Sequence, residues 1–314
     1  MTRPIALVTR IDRKGEEDWL ALLRERLPAE TILPFDAMSD SQRAEAEIAI
    51  VANPDPDHVR QLPGLVWIHS LWAGVERLVA ELGETAPPIV RLVDPELSRV
   101  MAEAVLAWTY YLHRDMPRYL AQQREAVWQQ QDYRHPSTVR VGLLGLGELG
   151  RASAARLLDA GFQVAGWSRS PKEIEGVETV SGDTGLATLL GTSDIIVCLL
   201  PLTAQTRGLL NRATLEKAKP GASLINFGRG PIIVDDDLIA LLDEGRLDHA
   251  VLDVFATEPL PAEAPFWRHP KVTVLPHISA PTMPETAASI VAGNIESYRA
   301  TGQLPPVIDV RRGY

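Results

Sequence analysis

The stretch VRVGLLGLGELGRASAARLLDAG, residues 139–161, constrains the fold more than any other part of the chain. An apolar run that reads as a buried strand ends in Gly145, Leu146, Gly147, Glu148, Leu149 and Gly150, and a segment of helical character follows at once. The first glycine permits a tight turn, the second lets backbone approach a pyrophosphate, and the third lets helix and strand pack closely. The helix N-terminus adds N–H donors and a partial positive charge. The glycine pattern alone is a weak signal, and a structural turn is the plain alternative. Strand before and helix after are the context that a dinucleotide site needs.

The next strand, QVAGWS, ends about 20 residues further on, where Asp or Glu normally accepts hydrogen bonds from the adenosine ribose hydroxyls of NAD. This chain has Ser168, Arg169 and Ser170 there, with Lys172 just beyond. A carboxylate repels a 2′-phosphate, whereas a guanidinium fork and hydroxyl donors hold one. The turn is therefore expected to face NADP. The alternative is a solvated turn whose Arg169 stacks on adenine in either cofactor.

Short apolar runs alternate with helical patterns on both sides of the glycine loop. IALVT, TILPF, IAIVAN, LVWIHS and PIVRLVD precede it; QVAGWS, DIIVCLL, ASLINFG, HAVLDVF and KVTVLP follow. That rhythm predicts parallel sheets covered by helices, and 314 residues are enough for two such domains. Residues 101–128 keep helical spacing throughout and are expected to bridge two lobes. Their Trp108, Tyr110, Tyr111 and Trp128 suit either an apolar dimer interface or a buried crossing helix.

A net charge of -10 argues against a broad nucleic-acid or anionic-membrane surface, so any anion site must be local. The apolar start is too short for a signal peptide, and no stretch approaches a membrane span. A cytoplasmic protein is expected. The single cysteine, Cys198, lies inside DIIVCLL; it excludes an internal disulfide and reads as a buried thiol, and no metal site is expected.

Three ionisable groups stand at the C-terminal ends of predicted strands, where open parallel sheets bind ligands. Arg229 is in NFGRG, Glu258 in LDVFATEPLP and His277 in VTVLPHISA. Each alone has a dull explanation. Together, after a dinucleotide loop, they suggest a reductase of 2-oxo acids. His249 and His269 are the competing histidines, and their settings read as structural.

These stretches, in this order and spacing, resemble the D-isomer-specific 2-hydroxyacid dehydrogenase family. The closer likeness is to its glyoxylate/hydroxypyruvate reductase A branch, through LWAGVE, WSRS, PFWRHPKVTVLPHISA and the closing RRGY. The resemblance implies a Rossmann cofactor domain, residues 102–281, inserted into a flavodoxin-like, doubly wound α/β substrate domain made of residues 1–101 and 282–314, with the chemistry between them. It implies NADPH as cofactor, with NAD as a weaker alternative, a small 2-oxo acid as substrate, and a homodimer. Arg229 would bind the substrate carboxylate and polarise the keto oxygen, His277 would donate the proton, and Glu258 would pair with His277. Ala73, Gly74 and Val75 would lend N–H groups to the carboxylate. Trp72 departs from the small residue common there, and either crowds the pocket toward small substrates or packs in the interdomain cleft. Leu200, Pro201 and Thr203 would line the cofactor path, and Asp253, with Gly228 nearby, would meet the nicotinamide. A larger 2-oxo acid, or a dinucleotide sensor without turnover, are the rival readings.

Overall fold

The computed structural model describes residues 3–83 and 85–309, so the closing RRGY lies outside the described residues. The chain divides into two compact units, Met1–Glu96 with Thr282–Tyr314, and Leu97–Pro281.

The first unit is a sheet of five strands, β1 (Ile5–Thr9), β2 (Ile32–Pro34), β3 (Ile48–Ala52), β4 (Trp67–Ser70) and β5 (Ile89–Val90), in the order β2-β1-β3-β4-β5. All neighbours are parallel. PIVRLVD therefore contributes only two strand residues. β3 and β4 are buried along their whole length, as strands covered on both faces must be, which is why β3 reads as an unbroken apolar run, while β4 ends in the buried polar pair His69 and Ser70. The C-terminal helix Pro284–Thr301 joins this unit by burying Ala287, Ala288, Val291 and Ile295 in one cluster with Trp67 and Leu71. Two polar ties fix it there: Thr286 Oγ1 donates to Asp94 at 2.6 Å, and Asn294 Nδ2 donates to His69 Nε2 at 2.9 Å.

The second unit carries β6 (Arg140–Leu144), β7 (Gln163–Ser168), β8 (Glu178–Ser181), β9 (Ile195–Cys198), β10 (Ala222–Asn226), β11 (Leu247–Leu252) and β12 (Val272–Val274). The order is β12-β11-β10-β9-β6-β7-β8, again parallel throughout. The chain runs outward from β6 to β8 and then returns to β9 on the other side, so the strand order reverses between β6 and β9. Such a reversal opens a crevice at the C-terminal strand ends. The glycine loop leaves β6 at that point.

Residues 101–128 do not form one helix. A first helix spans Pro95–His113 and a second Met116–Arg124, with Asp115 between them at φ 52. Pro117 explains the break: inside a continuous helix it would remove a hydrogen bond and clash with the preceding turn, whereas in the first turn of a new helix its missing N–H is harmless. Trp108 and Tyr111 pack edge to face at 5.0 Å against the second unit's core, while Trp128 lies beyond both helices and is 97% exposed. Trp108 and Tyr111 thus take the packed reading, while Tyr110, 38% exposed, and Trp128 do not lie in that core.

Candidate active site

The loop after β6 is built for close approach. Gly145 has φ 108, and a Cβ on Gly150 would stand 2.0 Å from the Gly145 carbonyl oxygen, so a side chain at position 150 would force loop and helix apart. Gly147 is the N-cap of the helix Glu148–Asp159 and supplies no side-chain cap, and the first intrahelical bond runs from Arg151 N–H to the Gly147 carbonyl. The N–H groups of Glu148, Leu149 and Gly150 therefore stand at the positive end of a helix with an anion as their natural partner. A Cβ on Gly147 would meet nothing within 4 Å, so backbone here is open to a ligand. These features fit a pyrophosphate.

At the end of β7 the serines divide. Ser168 is 8% exposed and its hydroxyl donates to the Ser170 carbonyl at 2.7 Å, which fixes the turn and commits its proton. Arg169 and Ser170 are exposed. Lys172 reaches back so that Nζ donates to the Leu146 carbonyl at 2.9 Å, tying this turn to the glycine loop. The positive charge and one hydroxyl of the turn are thus presented outward. After β9, Leu200 is buried, and the loop that follows is closed by Thr203 and Thr206, whose backbone N–H groups each donate to the other's hydroxyl, at 2.8 and 3.2 Å. A Cβ on Gly228 would lie 2.7 Å from the Leu200 carbonyl oxygen, so the loops after β9 and β10 touch.

Arg229, Glu258 and His277 come from the ends of three neighbouring strands, β10, β11 and β12. His277 Nδ1 lies 2.8 Å from Glu258 Oε2, and Glu258 Oε1 accepts the Phe255 N–H at 2.8 Å. Engaging Nδ1 leaves Nε2 as the nitrogen able to exchange a proton with a ligand. The Glu258 hydrogen bond raises the His277 pKa above the ordinary imidazole value; burial and the Arg229 charge oppose it, and the Glu258 and Asp253 charges add to it. Burial pushes the Glu258 carboxyl up, but its bonds to His277 and Phe255 and the charges of His277 and Arg229 outweigh that, and it titrates lower than usual. Arg229 therefore acts on both partners, although its Nη1 also donates to the Gly228 carbonyl at 2.8 Å. The imidazole side chain keeps 51% exposure. A proton donor and a permanent cation close enough to feel each other's charge can hold a carboxylate and protonate an oxygen next to it.

Asp253 is 2% exposed, and both its oxygens are engaged: Ile278 N–H donates to Oδ1 at 2.7 Å and Ser279 N–H to Oδ2 at 2.9 Å. Its grip is on the loop that carries His277. Ser279, which no sequence signal singles out, has a buried hydroxyl without a hydrogen-bond partner among the described residues, the kind of group that a carboxamide satisfies.

In the first unit, Trp72, Ala73, Gly74 and Val75 lie together on the turn between β4 and the helix Glu76–Leu82. Trp72 N–H is held by Ser70 Oγ at 3.0 Å, and the indole packs edge-on against Trp19 at 6.1 Å within that unit's own core. The other histidines behave differently from His277. Burial lowers both His69 and His249 to about 4; His69 is held between the Ser70 carbonyl and Asn294, and His249 lies against Thr273. His269 accepts the Lys271 N–H and reaches Asp243. Burial pushes the Cys198 thiol up to about 12, so it is inert as a nucleophile.

Residues 106–279 match the family model of the D-isomer specific 2-hydroxyacid dehydrogenase, NAD binding domain. A protein of Serratia proteamaculans named glyoxylate/hydroxypyruvate reductase A is 38% identical over 95% of this chain and 96% of its own length. A D-isomer specific 2-hydroxyacid dehydrogenase from Xanthobacter autotrophicus, solved with NADPH and MES, superposes with a TM-score of 0.92 at 37% identity, covering 100% of both chains. An NADPH-dependent glyoxylate/hydroxypyruvate reductase from Sinorhizobium meliloti, solved with NADP and sulfate, gives 0.89 at 32% identity over 100% of both.

Proposed function

The chain belongs to the D-isomer-specific 2-hydroxyacid dehydrogenase family, and from that premise we propose that it reduces a small 2-oxo acid, glyoxylate or hydroxypyruvate, with NADPH. The observation that carries this reading is the His277–Glu258 pair at 2.8 Å beside the Arg229 charge, in the sheet that also bears the glycine loop. Bound NADPH supplies the hydride. Arg229 grips the planar carboxylate and draws electron density toward the keto oxygen, which orients the carbonyl carbon. His277, charged because Glu258 supports the imidazolium, gives its proton to that oxygen as negative charge develops there.

Turnover on a panel of 2-oxo acids of increasing size tests the reading, with highest kcat/KM expected for the two smallest. NADPH binding without turnover of any of them would overturn it. Arg229→Lys keeps the charge but loses the fork, so KM should rise and kcat fall, each by about tenfold. An effect on NADPH affinity alone would remove Arg229 from the substrate site.

The reading includes a cytoplasmic homodimer. The lone reduced thiol suits a reducing compartment. Among the described residues no helix is long and apolar enough to cross a membrane. Leu120 and Val127 are each 44% exposed and Trp128 97%, and Tyr119, Val127 and Trp128 line a cavity of about 470 Å³. Apolar surface of this kind is characteristic of an association site. Sedimentation equilibrium should give twice the chain mass for the wild type and a shift toward monomer for Trp128→Lys; a wild-type monomer would overturn the dimer.

A further inference from the structure

β10, β11 and β12 end level with one another, because Asn226 is in register with Leu252 and Leu252 with Val274. The turns that carry Arg229 and His277 therefore start two strand spacings apart, about 10 Å. Two side chains so separated act on one small ligand only if their turns are held in fixed relation. The residue placed to hold them is Asn226, a polar side chain closing the strand ASLIN, with 0% exposure.

Asn226 Oδ1 accepts the Gly228 N–H at 3.2 Å, and Nδ2 donates to the Arg229 carbonyl at 3.2 Å. The opposite amide orientation would set donor against donor and acceptor against acceptor, so the assignment is unambiguous. The Asn226 carbonyl also accepts the Asp253 N–H at 3.2 Å. Asp253 in turn takes the His277 N–H on its carbonyl at 3.0 Å and the next two N–H groups on its side chain. His277 stands at φ 55, a left-handed conformation costly for a residue with a Cβ, and these three bonds hold it there. On the other side, a Cβ on Gly230 would lie 2.0 Å from the Phe255 carbonyl carbon, so the Arg229 turn is pressed against the segment leading to Glu258. An apolar side chain of the same size at 226 would leave the Gly228 N–H without its partner and the Arg229 carbonyl with only the Ile232 N–H at 3.3 Å.

We propose that Asn226 is a positioning residue whose side-chain amide fixes the 228–229 turn, and with it the Arg229 guanidinium, in register with the His277 loop that the main chain of the same residue anchors through Asp253. The assignment rests on the reductase reading above. Misplacement of a reacting group by about 1 Å can cost about 100-fold. Asn226→Ala should accordingly lower kcat/KM for glyoxylate by about 100-fold, through a higher KM and a lower kcat together, while the NADPH dissociation constant measured by fluorescence stays at its wild-type value. Asn226→Asp preserves size and the Gly228 bond but loses the donor to Arg229; it should also raise KM, and it decides the matter if the alanine variant does not fold. Oxamate, an unreactive analogue, should bind the NADPH complex of either variant more weakly. Wild-type inactivity on every 2-oxo acid would overturn the reductase reading alone, because oxamate titration still reports the register. Folded variants with unchanged KM and oxamate affinity, and only a lower melting temperature, would reduce Asn226 to a structural residue and overturn the proposal.

Discussion

Replacing His277 with alanine is expected to lower turnover by about 100-fold or more, the scale for losing a general acid, with NADPH binding almost intact. The expectation comes from geometry and sign together. Nδ1 is bound to Glu258 at 2.8 Å, and that bond raises the imidazole pKa against the opposing effects of burial and Arg229. Reduction needs the protonated ring. Its rate should therefore be flat at acid pH and fall by about tenfold per pH unit once pH passes the raised His277 value. Oxidation of the 2-hydroxy acid needs the neutral ring, so its rate should rise over the same interval. Glu258→Gln removes the leading cause of the raised pKa and leaves the Asp253 charge alone against burial and Arg229. The falling limb of the reduction profile should then move to lower pH. Rate profiles of wild type, His277→Ala and Glu258→Gln in both directions are the check, and either near-normal turnover without the imidazole or a limb indifferent to Glu258 would remove the pair from the mechanism.

The parts of this site that could be read in the sequence are those whose chemistry is local. GLGELG carries its own explanation, since three glycines at those spacings answer to a turn, a phosphate and a packing contact. Parallel strands buried on both faces read as apolar runs, which made the two sheets legible before their order was. Arg229, Glu258 and His277 could be picked out because they fall together at strand C-termini after a dinucleotide loop, although each alone has a plain explanation. What escaped depended on partners distant in sequence or on hydrogen direction. Asn226 looked like the end of an apolar strand, and its meaning came only when its amide was seen to face Gly228 and Arg229. Ser168 read as a phosphate donor, yet its proton goes to the Ser170 carbonyl. Helical spacing over 101–128 concealed the break at Asp115, because period counts apolar positions and is blind to one residue in a left-handed turn. β8 escaped for a related reason: the four residues of ETVS include three polar ones at a sheet edge, where burial no longer imposes a pattern.

Cofactor choice should be governed by the turn after β7, and there the expected change is one of preference. Wild-type kcat/KM should favour NADPH over NADH, and Arg169→Ala should lower the NADPH value by about 10- to 150-fold while leaving the NADH value nearly unchanged. That range corresponds to one charge-assisted contact of roughly 1.5–3 kcal/mol. The net charge of -10 works against an anionic ligand, so the preference must arise from nearby groups. Those groups are the exposed Arg169 and Ser170, with Lys172 held over the glycine loop by its bond to the Leu146 carbonyl. Ser168 contributes by shaping the turn, since it is buried and its hydroxyl is bonded inward. Ser168→Asp should then act twice, by breaking the bond to Ser170 and by setting a negative charge where NAD-specific relatives of the fold keep one, so the preference should narrow or reverse. The decisive quantity is the ratio of kcat/KM for the two cofactors in wild type, Arg169→Ala and Ser168→Asp at one ionic strength, because a surface cation's effect is screened by salt. A wild-type preference for NADH, or an equal loss of both cofactors in Arg169→Ala, would sink the phosphate reading and leave Arg169 stacked on adenine or merely supporting the turn.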